Sequence, residues 1–564
     1  MKLLFGIFLV LIIGGYPFTE MWAQNINAGS PVFEEALRRK QLLGELDSSI
    51  SFHIRPLKSH FLTDKKVYED LSFFMPGENE GAIHRQKQGK YYTILPIRNT
   101  QAINIRRPYG WGNSLMIPNV GAQNYTTGGI SYHHGFFQIQ FQPELMWAQN
   151  KSFAGYPNDL ENAVNRARFV YWNYGDYPER FGDGFYARLG LGQTKVSVNT
   201  GAFELGISTE NIWWGPGQFN ALIFSNNAQG FPHISLNTTR PAKTFLGSFE
   251  GQLIMGRLKD SQMDPSQHPE LNELYFREFS GDWRYLNGIS VSYQPKWVPG
   301  LFLGATRTFQ NYNQRRGKSF RDWLPIFNGV TKVSAGLDLV GESDHGRDQQ
   351  ISVFSRYLFT KGKAEIYFEY GRRDHAYNWR EFVLNPEHAR AYLMGFSKLI
   401  PLPKHDTYIQ VRGEMTQQQE SVNRMIRYRS GSGITWHTHN NARGFAHKGE
   451  ALGVGVGAGS NVQSVEVAYI NGLNKLGILL ERVANHQDFY YKAFGDKAER
   501  KPWVDLSLGF LLDYQWERFM FSSKLQLISG KNYQWQLDPS SSPELPIGKD
   551  RFGIFSQNHL MYLF

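Results

Sequence analysis

The residues best suited to recognising a ligand lie between Gly206 and Pro232. Trp213 and Trp214 stand beside the turn Gly215-Pro216-Gly217, and Ser225, Asn226, Asn227, Ala228, Phe231 and Pro232 follow. Paired indoles next to a Gly-Pro-Gly turn make a rigid aromatic surface that strand propensity does not require. Aromatic faces stack on the C–H faces of sugar rings, and neighbouring Asn, Glu and Arg side chains bond the hydroxyls. Trp213, Trp214, Asn226, Asn227 and Arg240 are therefore the candidate saccharide-contacting residues. The same Trp pair would also serve in an aromatic girdle at a membrane interface, or in an inward plug.

Signals for catalysis are weaker. Gly431-Ser432-Gly433 lacks the Gly-x-Ser-x-Gly spacing of a nucleophile elbow. His437 and His439 would share one face of a strand, with His447 as a third nitrogen, but such histidines more often sit unligated in loops. His133 and His134 are adjacent and would point to opposite faces. Asp183, Glu204 and Glu210 are acids of the kind that glycosidic cleavage needs about 5–10 Å apart, a separation that sequence does not supply. We therefore expect no catalytic set, no metal site and no cofactor. Two basic stretches complete the chemical inventory: Arg315, Arg316, Lys318 and Arg321 in 311–321, and Arg424, Arg427, Arg429, His437, His439, Arg443 and Lys448 in 423–448. They read either as solvated loop charge or as a cationic surface for an anionic polymer.

The elements that must carry these residues are strands. From about Ser131 onward, segments of about ten residues alternate apolar with polar, between Gly, Asn, Asp and Lys clusters. Phe137, Ile139 and Phe141 alternate with Gln138, Gln140 and Gln142, and Phe249, Leu253 and Met255 with Glu250, Gln252 and Ile254. Ile366, Phe368 and Tyr370 alternate with Glu365, Tyr367 and Glu369, while Leu506, Leu508, Phe510, Leu512 and Tyr514 share one face. Each segment thus has an oily side and a mostly polar side. A soluble antiparallel sandwich alternates in the same way. The length of the strands and the aromatics at their ends (Trp297, Trp503, Tyr514, Trp516) favour a membrane-spanning barrel instead. Between Met75 and Gln101 no clean period is visible.

Both ends of the chain support export to a membrane. Lys2, the apolar run Leu3–Ile13, the breakers Gly14, Gly15 and Pro17, and Ala23 before Gln24 read as a signal peptide removed after residue 23. The run is too short to cross a bilayer core of about 30 Å as a helix. The last residue is Phe564, with Leu560 and Tyr562 on its face, a pattern like the signal read by outer-membrane assembly machinery. No other stretch approaches the ~20 apolar residues of a spanning helix, which excludes a helical inner-membrane protein. The chain of 564 residues has no cysteine, excluding disulfides, thiolate metal sites and a lipidated cysteine. Its 60 Lys+Arg against 50 Asp+Glu favour acidic partners, and an export signal argues against nucleic acid.

The segment Trp213–Gly217, followed by Ser225–Ala228 and Phe231–Pro232, resembles the signature of the Wzi family of capsule assembly proteins. Tyr109-Gly110-Trp111 and Met116-Ile117-Pro118 are similar to the family's early strand region, and a weaker likeness runs from about Leu37 to Phe564. The resemblance implies an all-β fold: an outer-membrane antiparallel barrel of about eighteen strands with a small helical element on the periplasmic side. The helix expected from Pro31 to Leu46 suits that element. It also implies a lectin that retains capsular or related surface polysaccharide and is not the export channel. The expected organisation is 1–23 signal peptide, 24–100 N-terminal periplasmic region and 101–564 barrel. Its partners would be an acidic surface polysaccharide, outer-membrane lipids and, through Phe564, the assembly machinery. The competing class is a porin, transporter or lipid-modifying barrel enzyme, which would show an open lumen or a converging catalytic set.

Overall fold

The computed structural model describes residues 25–58, 90–331, 346–374, 376, 378–421, 434–495 and 499–564. The expected signal peptide 1–23, Arg424, Arg427 and Arg429, and the Gly431–Gly433 triplet lie outside the described residues. Eighteen antiparallel strands close into one barrel. They are β1 (Lys90–Ile105), β2 (Gly121–His134), β3 (Phe137–Phe141 with Glu144–Ala148), β4 (Tyr186–Gly190 with Lys195–Thr200), β5 (Phe203–Ser208) and β6 (His233–Thr238 with Ala242–Lys243). Then come β7 (Gly247–Leu258), β8 (Arg284–Pro295), β9 (Leu301–Tyr312), β10 (Asp348–Phe359), β11 (Ala364–Arg373) and β12 (Arg390–Pro401). The series ends with β13 (Thr407–Gln417), β14 (Asn461–Asn471), β15 (Asn474–Ala484), β16 (Val504–Trp516), β17 (Phe519–Lys531) and β18 (Arg551–Tyr562). β18 pairs with β1 from Ile554↔Ile105 to Tyr562↔Ile97 and leaves no free edge.

Side-chain parity explains why the chain closes around a polar interior. In β16, Leu506, Leu508, Phe510, Leu512 and Tyr514 face outward and exposed, while Asp505, Ser507 and Asp513 are buried inside. In β11, Ile366 and Phe368 are outside, and Glu365, Tyr367 and Glu369 inside. An outward apolar band with an inward polar face is the surface of a protein set in lipid. Most strands from β7 onward are 12 or 13 residues long, enough when tilted to cross an apolar layer of about 25 Å. Trp297, Tyr514 and Trp516 are exposed near one rim, as a girdle requires. Trp503 is not part of a girdle: it is buried among Tyr533, Trp535 and His486 and donates its indole N–H to Asp505 at 2.9 Å.

The barrel begins earlier than the sequence pattern indicates. β1 opens at Lys90, inside the stretch 24–100, and the cause of the lost period is Pro96. The β1–β2 register shifts between Leu95 and Arg98, so Ile94 faces out, Leu95 in, and Ile97 out again. A one-residue bulge exchanges the two faces of a strand, and a period of two disappears across it.

One rim carries short turns, such as Gly472–Leu473 and Glu517–Arg518, and the other carries the long connections, of which the described parts include 106–120, 149–185, 209–232, 259–283, 313–331, 418–421, 434–460 and 485–495. In barrels of this kind the short turns are periplasmic and the long loops extracellular. The N-terminal helix α1 (Phe33–Leu43) enters at the short-turn end. Gly44 ends it in the left-handed conformation (φ 78°), and its amide bonds the Gln41 carbonyl. Leu37, Leu46, Ile50, Phe52 and Leu57 from this segment pack on Met520, Met561 and Leu563 of the wall.

Candidate functional site

Three chain segments meet inside the barrel. From the inner end, α1 is held by charge. Glu365 accepts from Arg38 at 2.7 Å and from Arg356 at 2.6 Å, and Glu35 accepts from Arg39, Lys475 and Arg412 at 2.6, 2.9 and 3.0 Å. Burial alone would raise the Glu35 carboxyl, but Arg412, Lys475 and Arg39 together hold it well below the usual carboxylate range. From the outer end, 209–232 and 434–460 fold down into the lumen. Their apolar residues Ile212, Trp214, Phe224, Phe231, Trp436 and Leu452 form one core with wall residues such as Ile254, Leu286 and Leu393. The segments join where Trp213 and Trp214 pair antiparallel with Arg55 and Ile54.

The Trp pair is thus the centre of an inward plug, one of the roles open to it from sequence. Trp214 is fully buried, edge-on to Phe224 with centroids 4.7 Å apart, and donates to Gln252 Oε1 at 2.7 Å. Trp213 lies under the Arg55 guanidinium at 4.7 Å and packs on Ala28 and Ala221. Neither ring has a face open to a ligand in this structure. The turn after them has its own task. Gly215 sits at φ 108°, where an added Cβ would lie 2.6 Å from Glu369 Oε2. Beyond it the amides of Gln218, Phe219 and Asn220 donate to the Glu414 carboxylate at 2.7, 3.1 and 2.7 Å. Glycine and proline let the chain turn sharply enough to point three consecutive amides at one wall carboxylate.

Asn226 and Asn227 are clips between loops. Asn226 donates to the Gly112 carbonyl at 2.8 Å, and Asn227 accepts from the Gly112 amide at 3.0 Å and donates to Ala451 O at 2.9 Å. Ser225 adds a bond to Gly453 O at 2.6 Å. Trp213, Trp214, Asn226 and Asn227 therefore all act as interior fastenings of the plug. Arg240 does not join them. It is exposed in the break of β6, towards the short-turn rim and away from the extracellular loops.

Of the other chemical candidates, Glu204 and Glu210 come together while the rest lie apart. Glu204 is buried against Lys58, Lys195 and Asn237 at 2.7, 3.2 and 3.0 Å, and Glu210 lies 3.9 Å from the same Lys195. The cavity beside them measures about 20 Å³, room for about one water and not for a sugar ring. Asp183 is fully exposed on a different loop. His437 bonds Gln418, His439 accepts from the Asn441 amide, and His447 accepts from the Lys259 amide. Burial, reinforced by Arg373, pushes His437 down to about 3, so it is neutral. Among the described residues no cluster of three His, Cys, Asp or Glu could hold a metal ion.

A basic group at the outer rim is drawn from three separate elements that no sequence pattern joins. Arg188 lies in β4, Lys259 follows β7, and Lys448 sits in the tight hairpin Ala446–Ala451 at φ 50°. The Lys448 amide bonds Lys259 O at 2.8 Å, and Arg188 bonds Gln229 Oε1 at 2.7 Å over the face of Tyr186. None of the three charged groups has an ion-pair partner among the described residues. Burial, with Arg188 and Lys259 close by, pulls the Lys448 ammonium down to about 8. The adjacent carboxyl, Glu450, is pushed well up by burial against the pull of Arg188. The arrangement is an electropositive notch that an anion would relieve. Only Lys448 stood in a basic stretch of the sequence; Arg188 and Lys259 are brought to it by the barrel.

Over the outer mouth lie α2 (Asn162–Tyr174), α3 (Pro269–Tyr275) and α4 (Gln487–Phe494). They share a core of Tyr156, Phe169, Trp172, Leu271, Phe489 and Trp535, with Arg168 stacked 4.4 Å above Trp172. The described segments fill the lumen and cover its mouth, the opposite of what a porin requires.

No curated protein matches the sequence. Among solved structures, the chain is similar to Wzi of Escherichia coli, an outer membrane protein involved in group 1 capsule assembly and a carbohydrate-binding β-barrel. The TM-score is 0.59 at 11% identity, covering 96% of this chain and 100% of that one. Acinetobacter baumannii OccAB2 matches at TM-score 0.37 and 9% identity, over 83% of this chain and 97% of that one. The family model for capsule assembly protein Wzi matches residues 119–518. The chain belongs to the Wzi family of capsule assembly proteins, barrels of the bacterial outer membrane.

Proposed function

We propose that this protein holds an acidic capsular or related surface polysaccharide at the cell exterior, as a lectin anchored by its barrel and not as a channel or an enzyme. The observation that carries the reading is the filled lumen. Two outer loops and the N-terminal segment are packed and bonded to one another throughout the barrel, so the barrel offers an anchor in place of a passage. What remains for a polymer is the outer rim, where Arg188, Lys259 and Lys448 present positive charge without a carboxylate partner. The carbohydrate-binding character of the Escherichia coli barrel supports the ligand class, and the chemistry of the rim supports an acidic one.

In this reading Trp213, Trp214, Asn226 and Asn227 act by positioning: they fix the loops that shape the rim and do not touch sugar. Arg240, near the short-turn rim, has no part in ligand binding. Residues 1–23 supply export, 24–58 the inner plug, and Phe564 the recognition signal for barrel assembly. The test is binding of purified full-length protein to acidic polysaccharide, compared with a neutral glucan and with the triple variant Arg188→Gln/Lys259→Gln/Lys448→Gln. Tight, salt-sensitive binding of the acidic polymer that the triple variant loses is expected. Equal binding by wild type and variant would move the site away from this rim, and no binding of any polymer would remove the lectin reading.

A further inference from the structure

The extracellular end of the barrel has a feature on its outside that polymer binding does not use. The stretches 319–329 and 378–385, from two of the connections at this end, turn back over the outer wall. Tyr285 and Asn287 of β8 and Arg307 of β9 have the parity of lipid-facing positions, yet Tyr285 and Asn287 are buried. What covers them is the stretch 319–329. Arg307 donates to the carbonyls of Ile326, Asn328 and Gly329 at 2.9, 2.5 and 2.9 Å, and Tyr285 donates to Trp323 O at 2.5 Å. The pattern repeats two strands on. Arg372 of β11 is lipid-facing by parity, and it donates to the carbonyls of Phe382 and Asn385 at 2.9 and 3.0 Å. An arginine on the outside of a membrane strand is costly, and here each one donates to loop carbonyls and so clamps a loop against the wall.

The clamped loops then expose their other faces, and those faces are oily. Phe320 is 68% exposed and Phe327 65% on the first loop; Val383 is 71% and Leu384 69% on the second. Below the clamps on the same wall are the exposed belt residues Val291, Val353 and Phe368, with Leu303 and Ile366 further towards the short-turn rim, so apolar surface runs along the wall up to the loops. Basic residues accompany them. Lys318, Arg321 and Arg380 are exposed and have no ion-pair partner among the described residues. Arg316 lies 3.6 Å over the Trp323 ring with its Nε and Nη1 atoms unbonded. Apolar side chains continuous with a lipid belt and cations beside them are the two halves of an interfacial lipid site.

We propose that these two loops form a collar seated in the outer leaflet, with Phe320, Phe327, Val383 and Leu384 among acyl chains and Lys318, Arg321 and Arg380 on the anionic headgroups of the same lipids. The collar lies against β8, β9 and β11 and leaves the rim from β4 to β7, where Arg188 and Lys259 lie, open to the polymer. It fixes the height and tilt of the barrel and so the level at which the rim stands above the membrane.

The chain has no cysteine, so single-cysteine labels need no background removal. Phe327→Cys and Val383→Cys carry a nitroxide in full-length protein reconstituted in nanodiscs. Ile366→Cys on the lipid belt and Leu274→Cys on the exposed outer cap serve as references. The collar labels are expected to relax with dissolved oxygen and resist a water-soluble nickel complex, as Ile366→Cys does. Behaviour like Leu274→Cys overturns the proposal, and shielding from both reagents overturns it in favour of a protein neighbour. For the headgroup, native mass spectrometry compares retained phosphatidylglycerol with retained phosphatidylcholine. Wild type is expected to prefer the anionic lipid, and Lys318→Gln/Arg321→Gln/Arg380→Gln to lose up to about fivefold of that preference per charge removed. Absence of any preference in wild type overturns the proposed headgroup chemistry.

Discussion

Replacing Trp214 by alanine separates a plug residue from a sugar-stacking residue. Trp214 is fully buried, edge-on to Phe224, and bonded to Gln252. An indole removes about 200 Å² from water, at about 25 cal/mol per Å², or about 5 kcal/mol in all. Truncation to alanine leaves a cavity and costs about 3–5 kcal/mol, and depriving Gln252 of its donor adds about 1 kcal/mol. A net loss of about 4–6 kcal/mol raises the population of the loosened plug at least about a thousandfold. Two assays read this: the urea midpoint of the detergent-solubilised barrel, and single-barrel conductance in a planar bilayer. Trp214→Ala is expected to lower the midpoint and to show brief conducting openings that wild type lacks. While the variant stays folded, its affinity for polysaccharide is expected to equal that of wild type. A normal midpoint combined with a lost affinity would refute the placement of Trp214 in the plug and return it to the ligand site.

Other consequences follow from the same geometry. Glu365→Gln takes the negative partner from the buried Arg38 and Arg356, and should destabilise the inner plug by about 3–5 kcal/mol, measured as a lower urea midpoint. Gly215→Ala places a Cβ 2.6 Å from the Glu369 carboxylate at φ 108° and should cost about 1–3 kcal/mol, whereas an exposed change such as Ser540→Ala should leave the midpoint unmoved. Lys448 is charged below its value of about 8 and loses its proton above it, so affinity for an acidic polymer should be full at pH 7 and fall towards pH 9. Lys448→Met should flatten that step. The same depressed ammonium is less costly to the fold once neutral, so stability from this group rises as affinity falls. Arg188→Gln/Lys259→Gln should weaken binding and reduce its dependence on salt.

Much of the barrel was legible because lipid and lumen impose opposite chemistry on alternate residues. Phe137, Ile139 and Phe141, or Leu506 through Tyr514, announce their outward faces by type alone. The pattern failed at Pro96, where a bulge exchanges the faces of β1, and in the first half of β2, whose outward positions Asn124, Thr126 and Gly128 are not oily. The site was harder to read. Tryptophan beside glycine and asparagine suits a sugar platform as well as a buried fastening, and the choice depends on whether the loop turns outward or in. Here the partners of Trp213 and Trp214, Arg55 and Ile54, lie more than 150 residues away, and no local pattern joins them. Arg240 shows the same limit from the other side: its charge is evident, but the rim it occupies is set by counting strands. The rim cations Arg188, Lys259 and Lys448 come from three elements and become a group only when the barrel closes.

The central claim, that a sealed barrel keeps polysaccharide on the cell, is tested most directly by retention. Cell-bound and released surface polymer are measured in a deletion strain carrying no protein, wild-type protein, or the Arg188→Gln/Lys259→Gln/Lys448→Gln variant at equal outer-membrane levels. Total polymer is expected to stay unchanged, to shed into the medium without the protein, to return to the cell with wild type, and to shed again with the variant. Cell-bound polymer that stays the same in all three strains would contradict it.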